Sequence, residues 1–501
     1  MEALPNEAKS IPHPMHRSAS VAGQNHFAPS ASLPHWVCDA VFYQVMPDRF
    51  CSGDDESPLS TPERVKRAPS SVTRCGGNLK GILRRLDYLQ ALGITALYFT
   101  PVFAAPSGHK YDTADYRSID PSLGGEGDLA LLVKNAHARG IRIILDAVFN
   151  HTGTEFFAFK DVCSRGEESP FRNWYFIHDF PVDPPSNPNY ECWWGLGALP
   201  KLNTSNPEVR DYLYDVTRRW MQFGIDGWRL DVPNEVPQEF WTGWRHIVKR
   251  LRPDAYIVGE IWDDAADWLQ GDLFDGVMNY PVRDACLKFF AKRTLKASGF
   301  DQVLARQRAR YPHGSIYGLL NLLGSHDTER FLTACAGDTR ALRLATLFLM
   351  TYPGAPMVYY GDEVGMQGAK DPGCRMPMVW DRGRQDTDLL GFFRDVIHLR
   401  RDHEVLRRGD FESVLCNDRT GVYVYRRTDS EHVALVVLHT GGRTARVDLS
   451  CTAPASGAWQ QVWPLPAAAT PHGDNADCVS LMTPCSIAPY EGRVFIGRRS
   501  L

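Results

Sequence analysis

The chain has 501 residues, of which 44% are hydrophobic and 23% are charged, and its formal net charge is −4. No apolar run is long enough to span a bilayer, and there is no excess of basic residues of the kind that nucleic-acid-binding surfaces need, so neither a membrane nor a nucleic acid is expected as a partner. At this length we expect two or three domains, because an α/β barrel alone takes about 250 residues.

Residues 1–37 are polar and rich in Ser, Ala, Pro and His, without the apolar segment that a secretory signal requires. We therefore predict a flexible N-terminal leader and a cytoplasmic protein.

From residue 40 onward, short β-branched or aromatic runs alternate with longer amphipathic runs, which is typical of repeated βα units. Eight strands are predicted, at 40–46, 94–100, 141–149, 225–232, 255–261, 273–279, 316–323 and 356–361. Helices are predicted between or after them, at 79–93, 207–224, 340–351 and 389–401. The pattern predicts an α/β fold, a closed (β/α)8 TIM barrel.

Two intervals differ from this alternation. Residues 152–205 are rich in aromatics, Pro and Asn, which predicts a small inserted domain after the third strand. Short alternating strands follow the last helix and predict a C-terminal antiparallel β-sandwich. The predicted domains are thus a barrel formed by 38–151 and 206–404, an inserted domain B at 152–205 and a sandwich at 405–501.

Polar groups lie at the predicted carboxyl ends of four strands, where barrel enzymes hold their active sites. They are Asp146, Asn150, His151, Arg229, Asp231, Glu260, His326 and Asp327. Any one of them could be a structural ion-pair residue of the barrel lining, but three acids, an arginine and two histidines together favour a catalytic cavity.

Arg229 and Asp231 are two residues apart on one strand, so their side chains point to the same face. The guanidinium is expected to keep Asp231 ionised, as a nucleophile requires. Glu260 belongs to the neighbouring strand, about 4.8 Å away, which is close to the roughly 5–5.5 Å that separates the carboxyls of retaining glycosidases. The charge of Asp231 and apolar neighbours are expected to keep Glu260 protonated. Asp327 and His151 are predicted to hydrogen-bond sugar hydroxyls.

Four segments resemble consecutive motifs of the α-amylase family of glycoside hydrolases: DAVFNH (146–151), GWRLDVPNE (227–235), GEIW (259–262) and SHDTERF (325–331). The resemblance spans about residues 40–400. It implies Asp231 as nucleophile, Glu260 as acid/base, Asp327 as transition-state stabiliser, and Arg229, His151, His326 and Asp146 as supporting residues. It also implies that Tyr111, in the HKYDTADY segment, stacks on the sugar with His109 beside it.

LPKLN (199–203), which contains Lys201, and Glu235 resemble the neopullulanase, cyclomaltodextrinase and maltogenic amylase group of that family. Lys201 and Glu235 are therefore expected to bind substrate. Typical members begin with a β-rich domain that takes part in dimers and narrows the site, whereas here the barrel begins near residue 40. The resemblance therefore predicts neither a cyclodextrin preference nor an oligomeric state.

Many relatives hold calcium through the first loop or through the Asn of the third-strand motif. Ser52, Pro58 and Asn78 depart from the usual first loop, and Glu235 replaces the usual His after the nucleophile. We predict that there is no metal site and no cofactor. Calcium held by Asn150 is the alternative.

The predicted function is retaining hydrolysis of α-1,4-glucosidic bonds in maltooligosaccharides, cyclodextrins or pullulan, with some transglycosylation. A transglycosylase or glucosyl isomerase of the same family is the first alternative, because a sugar hydroxyl can replace water in the second step. A non-catalytic sugar-binding barrel is the other alternative, and the complete acid set speaks against it.

Overall fold

The computed structural model describes residues 33–53, 73–312, 314–450, 459–464, 478–479 and 484–499. Most of the predicted leader and most of the first loop lie outside these residues. At the start of the described part, Leu33 and Val37 are buried, and Trp36 packs against Phe42 and Tyr256. Residues 33–37, which the sequence assigned to the leader, therefore pack onto the barrel.

Eight parallel strands form the barrel, as predicted. They are β1 (Phe42–Val45), β2 (Ala96–Phe99), β3 (Arg142–Ala147), β4 (Gly227–Leu230), β5 (Tyr256–Gly259), β6 (Gly276–Val277), β7 (Leu320–Leu322) and β8 (Ala355–Tyr359). Each pairs with the next in chain order, except that β6 and β7 meet only through a bridge between Met278 and Leu320. Because β8 also pairs with β1, the sheet closes.

The strands are buried on both faces, as parallel strands covered by helices are. The covering helices include Glu126–Ala138, Pro207–Met221, Gln238–Leu251, Ala297–Arg310, Thr339–Thr351 and Thr387–Asp402. Shorter helices lie at His35–Asp39, Pro47–Phe50, Tyr280–Cys286, Phe331–Ala334 and Glu404–Arg408, with a π-helical turn at Leu287–Ala291. No helix among the described residues is long and apolar enough to cross a membrane.

The predicted helix at 79–93 is two helices, Leu79–Arg84 and Leu86–Leu92. The backbone of Arg85 leaves helical geometry (φ −103°, ψ 4°), and its guanidinium lies 3.9 Å from the centre of the Trp380 ring. The break coincides with the contact between Arg85 and Trp380. The hydrophobic periodicity of residues 79–93 cannot reveal such a tertiary contact.

The segment between β3 and Pro207–Met221 contains one α-helix, Phe157–Arg165, and short 3-10 turns. Backbone bridges join His151 to Lys201 and Cys192 to Pro200, so the end of this segment returns to the end of β3. This return places the segment beside the acidic strand ends. The boundaries of the domains themselves stay a prediction.

The C-terminal part is antiparallel, as predicted. Six strands form one sheet in the order Asp410–Asn417, Val422–Thr428, His432–His439, Gly492–Arg498, Trp459–Trp463 and Cys478–Val479. Ala445–Val447 pairs with Cys485–Ile487 in a second sheet. Val424 and Leu435 of the first sheet share one apolar core with Val447 and Ile487 of the second, which makes the two sheets a sandwich.

Candidate active site

Asp231 and Glu260 stand side by side at the ends of neighbouring strands. The register pairs Leu230 of β4 with Gly259 of β5, and the next residue of each strand is one of the two acids. The backbone N–H of Glu260 donates to the carbonyl of Leu230 at 3.0 Å, so the pairing extends to the acids themselves. The two carboxyls therefore start from strands about 4.8 Å apart.

Arg229 is fully buried and contacts three carboxylates. Its Nη1 lies 2.8 Å from Asp146 Oδ1 and 2.8 Å from Asp231 Oδ1. Its Nη2 lies 2.7 Å from Glu260 Oε2. The contact between Arg229 and Asp231 that their spacing predicts is present. One cation is thus shared by three anions, which it cannot neutralise together.

Burial raises the pKa of Asp231 well above its usual value, and repulsion from Glu260 and Asp146 adds to this, while Arg229 opposes it. Burial also raises the pKa of Glu260, and the charge of Asp327 adds to this, again against Arg229. Arg229 favours the ionised form of Asp231, as its spacing predicts, but burial outweighs it, so the net shift of the Asp231 pKa is upward and the expectation of a lowered pKa is wrong. The raised pKa expected for Glu260 is present, with burial as its main cause.

Asp327 differs from the other two acids because two donors contact it directly. His326 Nε2 lies 3.0 Å from its Oδ2, and Arg375 Nη2 lies 2.9 Å from its Oδ1. Burial tends to raise the pKa of Asp327, but the contacts with His326 and Arg375 outweigh it and hold the pKa well below its usual value. Asp327 is therefore a permanent anion in this cavity.

Tyr111 connects the ends of β3 and β7. Its hydroxyl donates to Asp146 Oδ2 at 3.0 Å and lies 2.6 Å from His326 Nε2. Its ring is parallel to that of His326, with the centres 5.4 Å apart. The His109 Nδ1 accepts from the backbone N–H of Tyr111 at 3.0 Å, which fixes the loop. Tyr111 and His109 are both partly exposed at the cavity, as a sugar-contacting pair requires.

His151 is buried at the end of β3. Burial lowers its pKa to about 3, so its ring is neutral. Its Nε2 has no hydrogen-bond partner in the described part of the chain. Lys201 and Glu235 lie farther out, with Lys201 Nζ 3.7 Å from Glu235 Oε2 and each side chain about a quarter exposed. This ion pair joins the inserted segment to the turn after β4.

The α-amylase catalytic-domain model matches residues 44–409 of this chain. The chain belongs to the α-amylase family. It is a glycosidase of that family, with its predicted acids at the strand ends. Neopullulanase 2 of Thermoactinomyces vulgaris is 51% identical over 414 residues, covering 82% of this chain and 71% of the relative. A cyclomaltodextrinase of Geobacillus thermopakistaniensis is 46% identical, over 85% of this chain and 72% of the relative.

A solved structure of the family is also similar. The cyclic α-maltosyl-(1→6)-maltose hydrolase of Arthrobacter globiformis, in complex with cyclic α-maltosyl-(1→6)-maltose, is 40% identical with a TM-score of 0.83. The match covers 93% of this chain and 99% of that chain.

Three residues at the site were not singled out from sequence. Gln44 of β1 has its Nε2 2.8 Å from His326 Nδ1, and the Tyr98 hydroxyl of β2 donates to Asp146 Oδ2 at 2.9 Å. Arg375 donates to the His326 carbonyl at 2.8 Å as well as to Asp327. Gln44 carried a signal, because it is a polar residue inside an apolar strand. Arg375 carried no such signal, because it has no spacing relation to Asp327.

The donor atoms proposed for calcium do not form a site among the described residues. Asn78 Oδ1 accepts from the backbone N–H of Gly81 at 2.9 Å and so caps a helix. Asn150 Oδ1 is buried without a partner. No group of three or more His, Cys, Asp or Glu side chains in the described ranges could hold a metal ion.

Proposed function

We propose that this glycosidase hydrolyses α-1,4-glucosidic bonds of maltooligosaccharides, cyclodextrins and pullulan with retention of configuration. The observation that carries the proposal is the pair Asp231 and Glu260, which adjoin each other on β4 and β5 and share Arg229. Adjacent strand ends give a separation near the roughly 5–5.5 Å of retaining enzymes, which leaves no room for a water between carboxylate and sugar.

In the first step, Glu260 donates its proton to the glycosidic oxygen, and Asp231 attacks the anomeric carbon. The carbon–oxygen bond to the leaving sugar breaks, and a glucosyl ester forms on Asp231. In the second step, Glu260 takes a proton from water, whose oxygen attacks the anomeric carbon and releases Asp231. The proton that Glu260 donates in the first step is thus restored to it in the second.

The remaining residues bind and orient the sugar. Asp327, an anion held by His326 and Arg375, accepts hydrogen bonds from hydroxyls of the sugar and favours its distortion. The neutral His151 donates from its free Nε2, and Tyr111 stacks on the sugar face. The other residues that we assign to binding are Arg229, Asp146, His326, His109, Glu235 and Lys201.

The named activities of the relatives support this choice of substrate, since two of them are a neopullulanase and a cyclomaltodextrinase. The test is a product profile of the protein on maltotriose, γ-cyclodextrin and pullulan, with Asp231→Asn as the control. We expect short maltooligosaccharides from the protein and no turnover by Asp231→Asn. Near-normal activity of that variant would overturn the assignment of the nucleophile.

The same profile at high maltotriose concentration separates hydrolysis from transfer. Dominant longer or isomeric products would favour the transglycosylase or isomerase alternative, because the glucosyl ester would then pass to a sugar hydroxyl.

We further propose that the enzyme needs no metal and acts in the cytoplasm on an oligosaccharide. An intracellular maltogenic amylase of Bacillus subtilis, 41% identical over 85% of this chain and 72% of its own length, supports the location.

A further inference from the structure

Two tryptophans of the inserted segment form a stack that ends in solvent. Trp194 is 74% exposed, and its ring is parallel to that of Trp193, with the centres 5.1 Å apart and 13° between the planes. The large apolar ring of Trp194 therefore forgoes the favourable free energy that burial would give it.

The loop holds Trp194 outward at a cost. Its backbone lies in the left-handed region, at φ 50° and ψ 31°, which is unfavourable for a bulky residue. The loop is nevertheless well fixed. The N–H of Trp193 donates to the Leu199 carbonyl at 3.0 Å, and the Tyr190 hydroxyl donates to the Gly197 carbonyl at 2.7 Å. Such a conformation persists where the surroundings impose it, and it is frequent at ligand-binding sites.

The stack reaches His151 at the end of β3. The Trp193 ring lies 5.8 Å from the His151 ring, at 29° between the planes. The Trp193 Nε1 and the His151 Nε2 are both buried without a hydrogen-bond partner in the parts of the chain that the structure describes. Two unpaired polar atoms on neighbouring rings point to a polar ligand that would pair with them.

A sugar chain has the matching chemistry. Its rings present apolar C–H faces that stack on an indole, and their edges present hydroxyls that pair with N–H groups. We propose that Trp194 is the platform for a glucose unit beyond the one cleaved at Asp231, with Trp193 and His151 leading the chain toward the acids. This assignment rests on the proposed function and adds a determinant of substrate length.

Kinetics on two substrates test the platform. α-Glucosyl fluoride contains one glucose unit and cannot reach Trp194, whereas maltoheptaose can. For Trp194→Ala we expect kcat/KM on maltoheptaose to fall about tenfold, mainly through KM, because stacking contributes to binding of ground and transition state alike. On α-glucosyl fluoride, kcat/KM of Trp194→Ala should equal that of the unmodified protein.

Two further variants separate stacking from a structural effect. Trp194→Phe keeps an aromatic face and should retain most of the activity on maltoheptaose. Leu131→Ala removes an exposed apolar side chain from the helix Glu126–Ala138 and should leave kcat/KM unchanged on both substrates. If Trp194→Ala lost kcat/KM equally on both substrates, the proposal would be overturned, since equal losses would indicate damage to the loop.

Binding can be measured separately from catalysis in a variant that does not turn over. In Asp231→Asn, maltoheptaose should change the tryptophan fluorescence, and the additional Trp194→Ala should remove most of that change and weaken binding. If the unmodified protein hydrolyses maltoheptaose but Trp194→Ala binds and cleaves it equally well, the platform fails and the proposed function stands. If Trp194→Ala instead alters only the oligomeric state in gel filtration, the ring is a contact between copies of the chain, which also overturns the platform.

Discussion

At Arg229, one buried guanidinium contacts Asp146, Asp231 and Glu260. Spacing along β4 was enough to place Arg229 against Asp231, because residues two apart on a strand share a face. It could not show the contacts to Asp146 and Glu260, since these cross between strands. Burial raises the pKa of both Asp231 and Glu260, and the shared guanidinium opposes this rise at each of them.

The charge of Asp327 is one cause of the raised pKa of Glu260, after burial. Asp327→Asn removes that charge, so the pKa of Glu260 should fall. The acid form of Glu260 is then lost at a lower pH, and the alkaline limb of the pH profile of kcat/KM should move to lower pH in the residual activity on maltotriose, whose leaving oxygen needs that proton. Glu239→Gln, a substitution on the exposed start of the helix Gln238–Leu251, serves as the control and should leave the limb in place. An unmoved limb in Asp327→Asn would show that Asp327 does not act on Glu260.

The sequence predicted the acids at the strand ends, but it did not predict the residues from other segments that contact the acids or lie near them. Asp231, Glu260 and Asp327 could be found because a parallel barrel gathers its strand ends at one face. Arg375 pairs with Asp327 across 48 positions of sequence, and no local pattern reports such a contact. Trp193 and Trp194 belong to a loop whose conformation depends on bridges to the end of β3, which periodicity does not encode.

At the scale of elements, the strand Val422–Thr428 is tied to the barrel by a buried arginine. Arg427 donates to the carbonyls of Thr351 and Leu406 at 2.6 Å each and to that of Gly409 at 2.8 Å. Thr351 ends the helix Thr339–Thr351, where carbonyls lack partners within the helix. Arg427 thus supplies donors to carbonyls from both parts of the molecule.

Arg427→Met removes the Arg427 donor from the Thr351 carbonyl, whereas the Leu406 carbonyl keeps Arg400 and the Gly409 carbonyl keeps the Tyr317 hydroxyl. A buried carbonyl that loses its partner costs about 1–3 kcal/mol, so we expect a loss of stability of about that size and a lower Tm in calorimetry. The neighbouring Arg426 contacts Glu412 at the surface, and Arg426→Met should cost no more than about 1 kcal/mol. Equal Tm values for the two variants would contradict the role of Arg427 as a tie between the sandwich and the barrel.

The order and number of the barrel strands were predictable because buried parallel strands are continuous apolar runs. Their lengths were not. The run predicted at 273–279 forms a regular strand only at Gly276–Val277, and Met278 adds a single bridge to Leu320 on the other side. The helix break at Arg85 was also unpredictable, since it accompanies a contact with Trp380, almost three hundred residues later.

At the scale of the whole molecule, the requirement for a metal stays a prediction. Because Asn78 already caps a helix and Asn150 offers one free oxygen, we expect no essential calcium. Dialysis against EDTA should leave both kcat on maltotriose and Tm unchanged. A loss that added calcium restores, and magnesium does not, would contradict this expectation and would point to Asn150 or to the first loop.

The covalent ester on Asp231 is tested most directly by mass spectrometry after reaction with a maltosyl fluoride that carries a second fluorine on its reactive ring, which slows breakdown of the ester. We predict that the intact mass rises by one fluoromaltosyl group and that peptide mapping places the group on Asp231, with no label on Asp231→Asn. A label on Glu260 or Asp327, or turnover without any label and with inverted anomeric configuration, would contradict Asp231 as the nucleophile of a retaining pair.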